Sequence, residues 1–144
     1  MLKLNIVFKT MIAGAIVVVS GVASADIVVV ASAKSTASNL SNEQVVELFS
    51  GRGSAFQDGH KTHLHDVAET NPIRDEFYTK ALGKNASQIK AMWSRLTFSG
   101  KALPPVEDID AAALKKALAT DPDAVGYLDS ASVDSSLKVL AKIK

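Results

Sequence analysis

The sequence predicts an α/β domain, a three-layer-like sandwich in which helices cover a mixed β-sheet. The first observation is a continuous β-branched run at residues 27–31, which is typical of a strand buried on both faces. The second is the order of the apolar patterns: strand, helix, strand, three helices and two strands. Strands interleaved with covering helices favour one domain around one core.

Eight elements follow from periodicity and from the signals at helix ends. In order, we expect a strand at 27–31, a helix after Ser41, a strand at 62–67, helices at 72–82, 87–98 and 110–119, and strands at 124–128 and 137–143. Ser41 followed by Gln44 is a capping box that begins the first helix. Asn71 as N-cap and Pro72 as the first helical residue begin the second. Glycines and prolines mark most turns between the elements.

The third helix and the last strands carry two aromatic residues whose roles can be predicted. In the third helix the apolar residues recur at the helical period, which places Trp93 in the core rather than on a ligand surface. Pro104-Pro105 predicts a loop before the fourth helix. The last two strands are short apolar runs, and Tyr127 within the first of them is expected to serve packing.

Residues 1–25 precede the first strand and have the organisation of a cleavable secretory signal peptide. Two lysines give a basic start, and the apolar stretch at 11–19 is shorter than the roughly 20 residues that a membrane span needs. Ala23-Ser24-Ala25 fits the A-x-A cleavage pattern. We therefore expect a periplasmic protein whose mature domain spans 26–144. The alternative is that residues 1–25 remain attached as an uncleaved membrane anchor. No later segment is apolar enough to span a bilayer.

The composition of the mature domain excludes several classes of protein. Removal of Lys3 and Lys9 lowers lysine plus arginine from 16 to 14, against 15 acidic residues. A charge near −1 without a basic run argues against a nucleic-acid partner. The chain has no cysteine, so it has neither disulfides nor a thiol nucleophile. It also has no G-x-S-x-G motif and no defined carboxylate pair, and we expect no enzymatic activity and no cofactor.

Four stretches of the mature chain occur in the order found in one protein family. They are IVVVASAKSTASNLSNEQVVELFSGR (27–52), FQDGHKTHLHDVAETNPIRDEFYTKALG (56–83), IKAMWSRLTFSGK (89–101) and DPDAVGYLDSASVDSSLKVL (121–140). Together they resemble the phosphate-type periplasmic substrate-binding proteins of ABC transporters. The resemblance implies one lobe of a type II periplasmic binding protein that binds phosphate or a related oxyanion. Ordinary members have two lobes and bind the anion between them, whereas this chain resembles the short, single-lobe members.

Thr70, Asn71 and Arg74 surround the predicted start of the second helix and form a candidate anion site. A helix N-terminus presents free N–H groups and a partial positive charge, and Arg74 could contact an oxyanion with two hydrogen bonds. In the family a Ser-Gly-Thr turn and a nearby arginine at this place bind phosphate. Here Pro72 removes one N–H donor. Ordinary helix capping with a solvated Arg74 is the alternative.

Ser32, Ser35 and Thr36 form a second candidate set, directly after the first strand. Loops at strand ends of open α/β sheets are favoured ligand positions, and the matching loop of the family lies near the cleft. We expect these side chains to lie opposite the first set and to complete the anion site. A plain polar loop explains the same residues equally well.

The three histidines of the chain, His60, His63 and His65, lie within six residues. His63 and His65 share one face if the second strand forms, and with Asp58 or Asp66 they could bind zinc or copper. The group lacks a fixed metal-ligand spacing, so a partly exposed strand edge is the simpler interpretation.

Two functions from different classes follow from these observations. The first is a solute-binding domain that captures an anion for an ABC transporter permease. The second is an interaction or accessory module that kept the fold without the ligand. One lobe cannot enclose an ion by itself, so a homodimer or a partner that completes the cleft is a further expectation.

Overall fold

Five strands form one mixed sheet in a computed structural model that describes residues 26–144. The predicted signal peptide lies outside these residues. The strands are β1 (Ile27–Ser32), β2 (His63–Val67), β3 (Val106–Asp108), β4 (Ala124–Asp129) and β5 (Leu137–Ile143). The helices are α1 (Asn42–Phe49), α2 (Pro72–Leu82), α3 (Ala86–Phe98) and α4 (Ala111–Thr120). Across the sheet the strand order is β3-β2-β4-β1-β5.

Strand β1 is an internal strand of the sheet and is antiparallel to the other four strands. It pairs antiparallel with β4 on one side and with β5 on the other, and all six of its residues are buried. Strand β2 is parallel to both β3 and β4. The β-branched run at 27–31 therefore forms the doubly covered strand that the sequence predicts.

Helices cover both faces of the sheet, and β4 shows how they divide. Neighbouring strand residues point to opposite faces. On one face, a side chain added at Gly126 would meet Leu114 and Leu118 of α4. On the other, the ring of Tyr127 stacks on Phe77 of α2 at a centroid distance of 3.8 Å. The three-layer arrangement, the mixed sheet and the packing role of Tyr127 are confirmed.

The helix-end signals are realised as predicted in the first two helices. Ser41 and Gln44 form both hydrogen bonds of the capping box, and Asn71 caps the helix that begins at Pro72. In α3, Trp93 is buried, as its helical spacing predicts. Within residues 26–144 no helix combines the length and the apolar character needed to cross a membrane.

The sequence prediction missed β3, which lies between the Pro104-Pro105 loop and α4. Only Val106 of its three residues is apolar, so Val-Glu-Asp carries no periodicity that could indicate a strand. The strand forms because it pairs in parallel with β2, with Val106 opposite His65 and Asp108 opposite Val67. This edge strand brings Glu107 and Asp108 beside the end of β2.

Candidate functional site

A groove of about 550 Å³ lies where β2 and β3 end. Because these two strands are parallel, their carboxyl ends meet at one end of the sheet, which is the usual ligand position in open α/β sheets. One wall carries acidic groups and Arg74, and the other is formed by α3. The polar lining residues are Asp66, Glu69, Arg74, Lys90, Ser94, Thr97 and Glu107.

Asp66 is the buried centre of this end of the sheet, with 2% of its surface exposed. Its carboxylate accepts hydrogen bonds from the hydroxyls of Tyr78 (2.7 Å) and Tyr127 and from the N–H of Val67 (2.9 Å). Burial raises the pKa of Asp66, and the donated hydrogen bonds and Arg74 oppose that rise. Burial and the adjacent carboxylate also raise the pKa of both tyrosines, which keeps their hydroxyls protonated as donors.

Arg74 is held in place by two hydrogen bonds and one longer ion pair, and 15% of its side chain is exposed. Its Nη1 lies 3.1 Å from the carbonyl oxygen of Val67 and 3.1 Å from Oε2 of Glu107. Its Nη2 lies 3.6 Å from Oδ2 of Asp66. The guanidinium is thus fixed at the groove, but two carboxylates compete with any added anion for its charge.

The N–H groups of Ile73 and Arg74 in the first turn of α2 are already hydrogen-bonded within that turn. Asn71 Oδ1 accepts from the N–H of Ile73 at 3.2 Å, and the Asn71 carbonyl accepts from the N–H of Arg74 at 3.1 Å. Pro72 has no N–H to offer. Thr70 is exposed beside this turn. Of the three residues predicted here, Asn71 therefore serves as a cap, and Arg74 is the one whose side chain borders the groove.

The residues predicted to lie opposite Arg74 are at the other end of the sheet. Strand β1 is antiparallel to β4, so Ala31 lies beside Val125 and close to the start of β2. Val67, at the other end of β2, is four residue steps from that start, a distance of about 13 Å. The structure does not bring the two candidate sets together.

Local contacts occupy the hydroxyl groups of the β1 loop. Ser32 Oγ accepts from the N–H of Lys34, and Ser35 Oγ accepts from the N–H of Ala37, both at 3.2 Å. Thr36 donates to Asp58. These contacts are those of a polar loop that satisfies its own backbone.

Each histidine has its own acidic neighbour. Nδ1 of His63 lies 2.7 Å from Asp121, and Nδ1 of His65 lies 2.8 Å from Asp108. His60 lies 3.8 Å from a carboxylate oxygen of Asp58. Among residues 26–144 no three His, Cys, Asp or Glu side chains converge as metal ligands. The metal hypothesis therefore has no coordinating set in this part of the chain.

The sequence prediction missed the α3 wall of the groove. Lys90, Ser94 and Thr97 are spaced four and three residues apart, which places their side chains on one face of the helix. This polar stripe was the available signal, but only the tertiary fold shows that it lines the same groove as Arg74.

Comparison with solved structures relates this fold to transport proteins that bind phosphate. A phosphate ABC transporter substrate-binding protein from Clostridium perfringens, solved with bound phosphate, superposes with a TM-score of 0.66 at 13% identity over 81% of this chain and 44% of its own. An ABC-type phosphate transport receptor from Vibrio cholerae gives 0.65 at 16% identity over 83% of this chain and 49% of its own. PstS from Borrelia burgdorferi superposes with a TM-score of 0.61 at 11% identity, over 81% of this chain and 47% of its own.

The chain has the fold of one lobe of a phosphate-type periplasmic binding protein. It spans about half the length of the solved proteins that it matches. No protein-family model and no curated protein matches the sequence. The matched proteins are named as a substrate-binding protein and a transport receptor.

Proposed function

We propose that this domain is a periplasmic solute-binding module that binds phosphate or a related oxyanion in the groove at the ends of β2 and β3. The observation that carries the proposal is the position of Arg74. Its guanidinium is fixed at the carboxyl end of β2, in a groove that Lys90, Ser94 and Thr97 of α3 also line. Charge-assisted hydrogen bonds from Arg and Lys are the contacts that oxyanions favour. The likeness to a fold that holds phosphate in a relative supports the same ligand class.

Glu107 is a built-in competitor of the anion. Its carboxylate lies 3.1 Å from Arg74 Nη1, and half of its side chain is exposed. An entering oxyanion has to displace it or share the guanidinium with it. In addition, one lobe forms one wall of a cleft and leaves the ligand open to water. We therefore expect the isolated domain to bind an oxyanion more weakly than an enclosed cleft would.

Glu107→Gln should strengthen phosphate binding and Arg74→Gln should weaken it. Removal of the competing charge frees the guanidinium, and we expect about a fivefold lower Kd, equivalent to about 1 kcal/mol. Loss of hydrogen bonds from a charged donor should raise the Kd by more than tenfold. Isothermal titration calorimetry with phosphate and with sulfate measures both effects.

Lys142→Gln is the matched control, because it removes the charge of an exposed lysine on β5, at the opposite edge of the sheet. It should leave the Kd unchanged. Absence of heat with either anion, from micromolar to millimolar concentration, in both the native protein and Glu107→Gln would rule out this site.

The proposal also places the mature domain in the periplasm, beginning at Asp26. When the full chain is expressed in a Gram-negative host, the osmotic-shock fraction should contain a protein whose intact mass corresponds to residues 26–144. A membrane-bound product that still begins at Met1 would instead support the uncleaved anchor. Delivery of the anion to an ABC transporter permease is the corresponding cellular role.

An accessory module without a ligand is the second candidate. The specific observation in its favour is that the first turn of α2 and the guanidinium of Arg74 are already satisfied within the domain. Such a module would bind no oxyanion even as Glu107→Gln, and would act through a partner or a second copy. Light scattering with and without phosphate distinguishes a ligand-dependent dimer from a constitutive one.

A further inference from the structure

A second groove, of about 560 Å³, adjoins the oxyanion groove at Trp93. Its walls come from the turn after α1 (51–54), the chain entering β2 (61–64) and the segment between α3 and β3 (101–104), together with Val106. Its size is that of a small-molecule site. The two grooves share Trp93 and Pro104, but their charged residues are different.

The charged rim of this groove is entirely basic. Arg52, Lys61 and Lys101 line it, and no aspartate or glutamate does. None of these three side chains takes part in an ion pair within residues 26–144. In a domain with slightly more acidic than basic residues, three unpaired cations around one groove favour a negatively charged ligand.

The inner surface of the same groove is apolar. The buried ring of Trp93 and the half-buried Leu64 form its inner side. Leu103 and Val106 lie at its edge with 82% and 57% of their surfaces exposed. Exposed apolar side chains next to a groove are typical of binding surfaces. An apolar floor with a few charged groups at the rim suits a ligand with an apolar body and one charged end.

We propose that this groove binds a small organic anion with an apolar body, a medium-chain or aromatic carboxylate. The hydrocarbon part lies against Trp93, Leu64 and Val106. The carboxylate lies among Arg52, Lys61 and Lys101. This ligand is of a different class from the inorganic oxyanion of the first groove, because it requires apolar contacts as well as charge.

The intrinsic fluorescence of Trp93, the single tryptophan of the chain, reports on a ligand bound in this groove. Because Trp93 also lines the oxyanion groove, competition with phosphate is needed to assign the signal to one groove. Octanoate should change the emission of the mature domain with a saturable curve. Acetate, which has the charge without the chain, should bind at least tenfold more weakly. Octylammonium, which has the chain with the opposite charge, should not saturate. Equal saturation by octylammonium, or a linear response to octanoate, would overturn the proposal.

The double variant Lys61→Gln/Lys101→Gln tests the rim and should raise the octanoate Kd at least tenfold. Lys142→Gln, which also removes a lysine charge but from β5, should leave it unchanged. If the double variant binds octanoate as the native protein does, the assignment of the rim is wrong. Phosphate at saturating concentration should not displace octanoate, and displacement would show that the two grooves are one site. The octanoate result stands whether or not phosphate binds.

Discussion

Asp66→Ala should lower the free energy of unfolding by about 3 to 5 kcal/mol, a large fraction of the stability of a domain of this size. The carboxylate is buried and accepts from the hydroxyls of Tyr78 and Tyr127. Alanine leaves both buried hydroxyls without an acceptor, and it removes one of the two carboxylates facing Arg74. Urea unfolding followed by far-UV circular dichroism measures the change.

Asp66→Asn is the informative companion to this substitution. The amide keeps the shape, and it can accept from one tyrosine hydroxyl and donate to the other, so we expect about half the loss. Asp58→Ala is the surface control. Asp58 also accepts from a hydroxyl, that of Thr36, but in an exposed position, where the cost should stay below about 1 kcal/mol. A loss at Asp66→Ala no larger than at Asp58→Ala would mean that the buried network does not stabilise the domain.

Local signals in the sequence account for the parts of the fold that were predicted. The run at 27–31 is β-branched throughout, and Ser41 with Gln44 forms a capping box from side chains three residues apart. Trp93 is buried because its helix carries apolar residues at the helical period. Each of these signals lies within one element, so a single sequence contains all the information that it requires.

The candidate site depends on contacts that no local signal contains. Tyr127 donates to Asp66 across 61 positions of the chain, and Glu107 reaches Arg74 across 33. Glu107 is placed there by β3, whose three residues have no strand pattern of their own. The sequence therefore indicated Arg74 as a candidate, but it could not show that two carboxylates already contact it.

The separation of the two predicted anion sets has a topological cause. Ser32 to Thr36 and Thr70 to Arg74 both follow strands, and residues after parallel strands would meet at one end of the sheet. The direction of β1 is reversed relative to β2, so its following loop lies at the opposite end. Strand direction depends on pairing between distant segments, which periodicity and turn signals do not specify.

Gly51→Ala should destabilise the domain by about 3 kcal/mol, well above the effect of the same change at Gly83. Gly51 has a φ of 72° and Gly83 a φ of 64°, so alanine carries a similar backbone strain at both positions. At Gly51 the added methyl carbon would also lie 2.6 Å from Cδ1 of Leu96 and 3.0 Å from the ring of Trp93. At Gly83 it would have no atom within 4 Å.

The difference between the two variants isolates the steric contact, because the left-handed backbone is common to both. We expect Gly83→Ala to cost about 1 kcal/mol, the strain alone. Urea unfolding gives both values, and a shift of the native Trp93 emission in Gly51→Ala alone would show the ring being displaced. Equal losses of unfolding free energy in the two variants would mean that α3 shifts to accommodate the extra methyl group at no energetic cost. Gly51 is thus expected to serve two purposes, ending α1 and allowing the turn after it to approach the indole that lines both grooves.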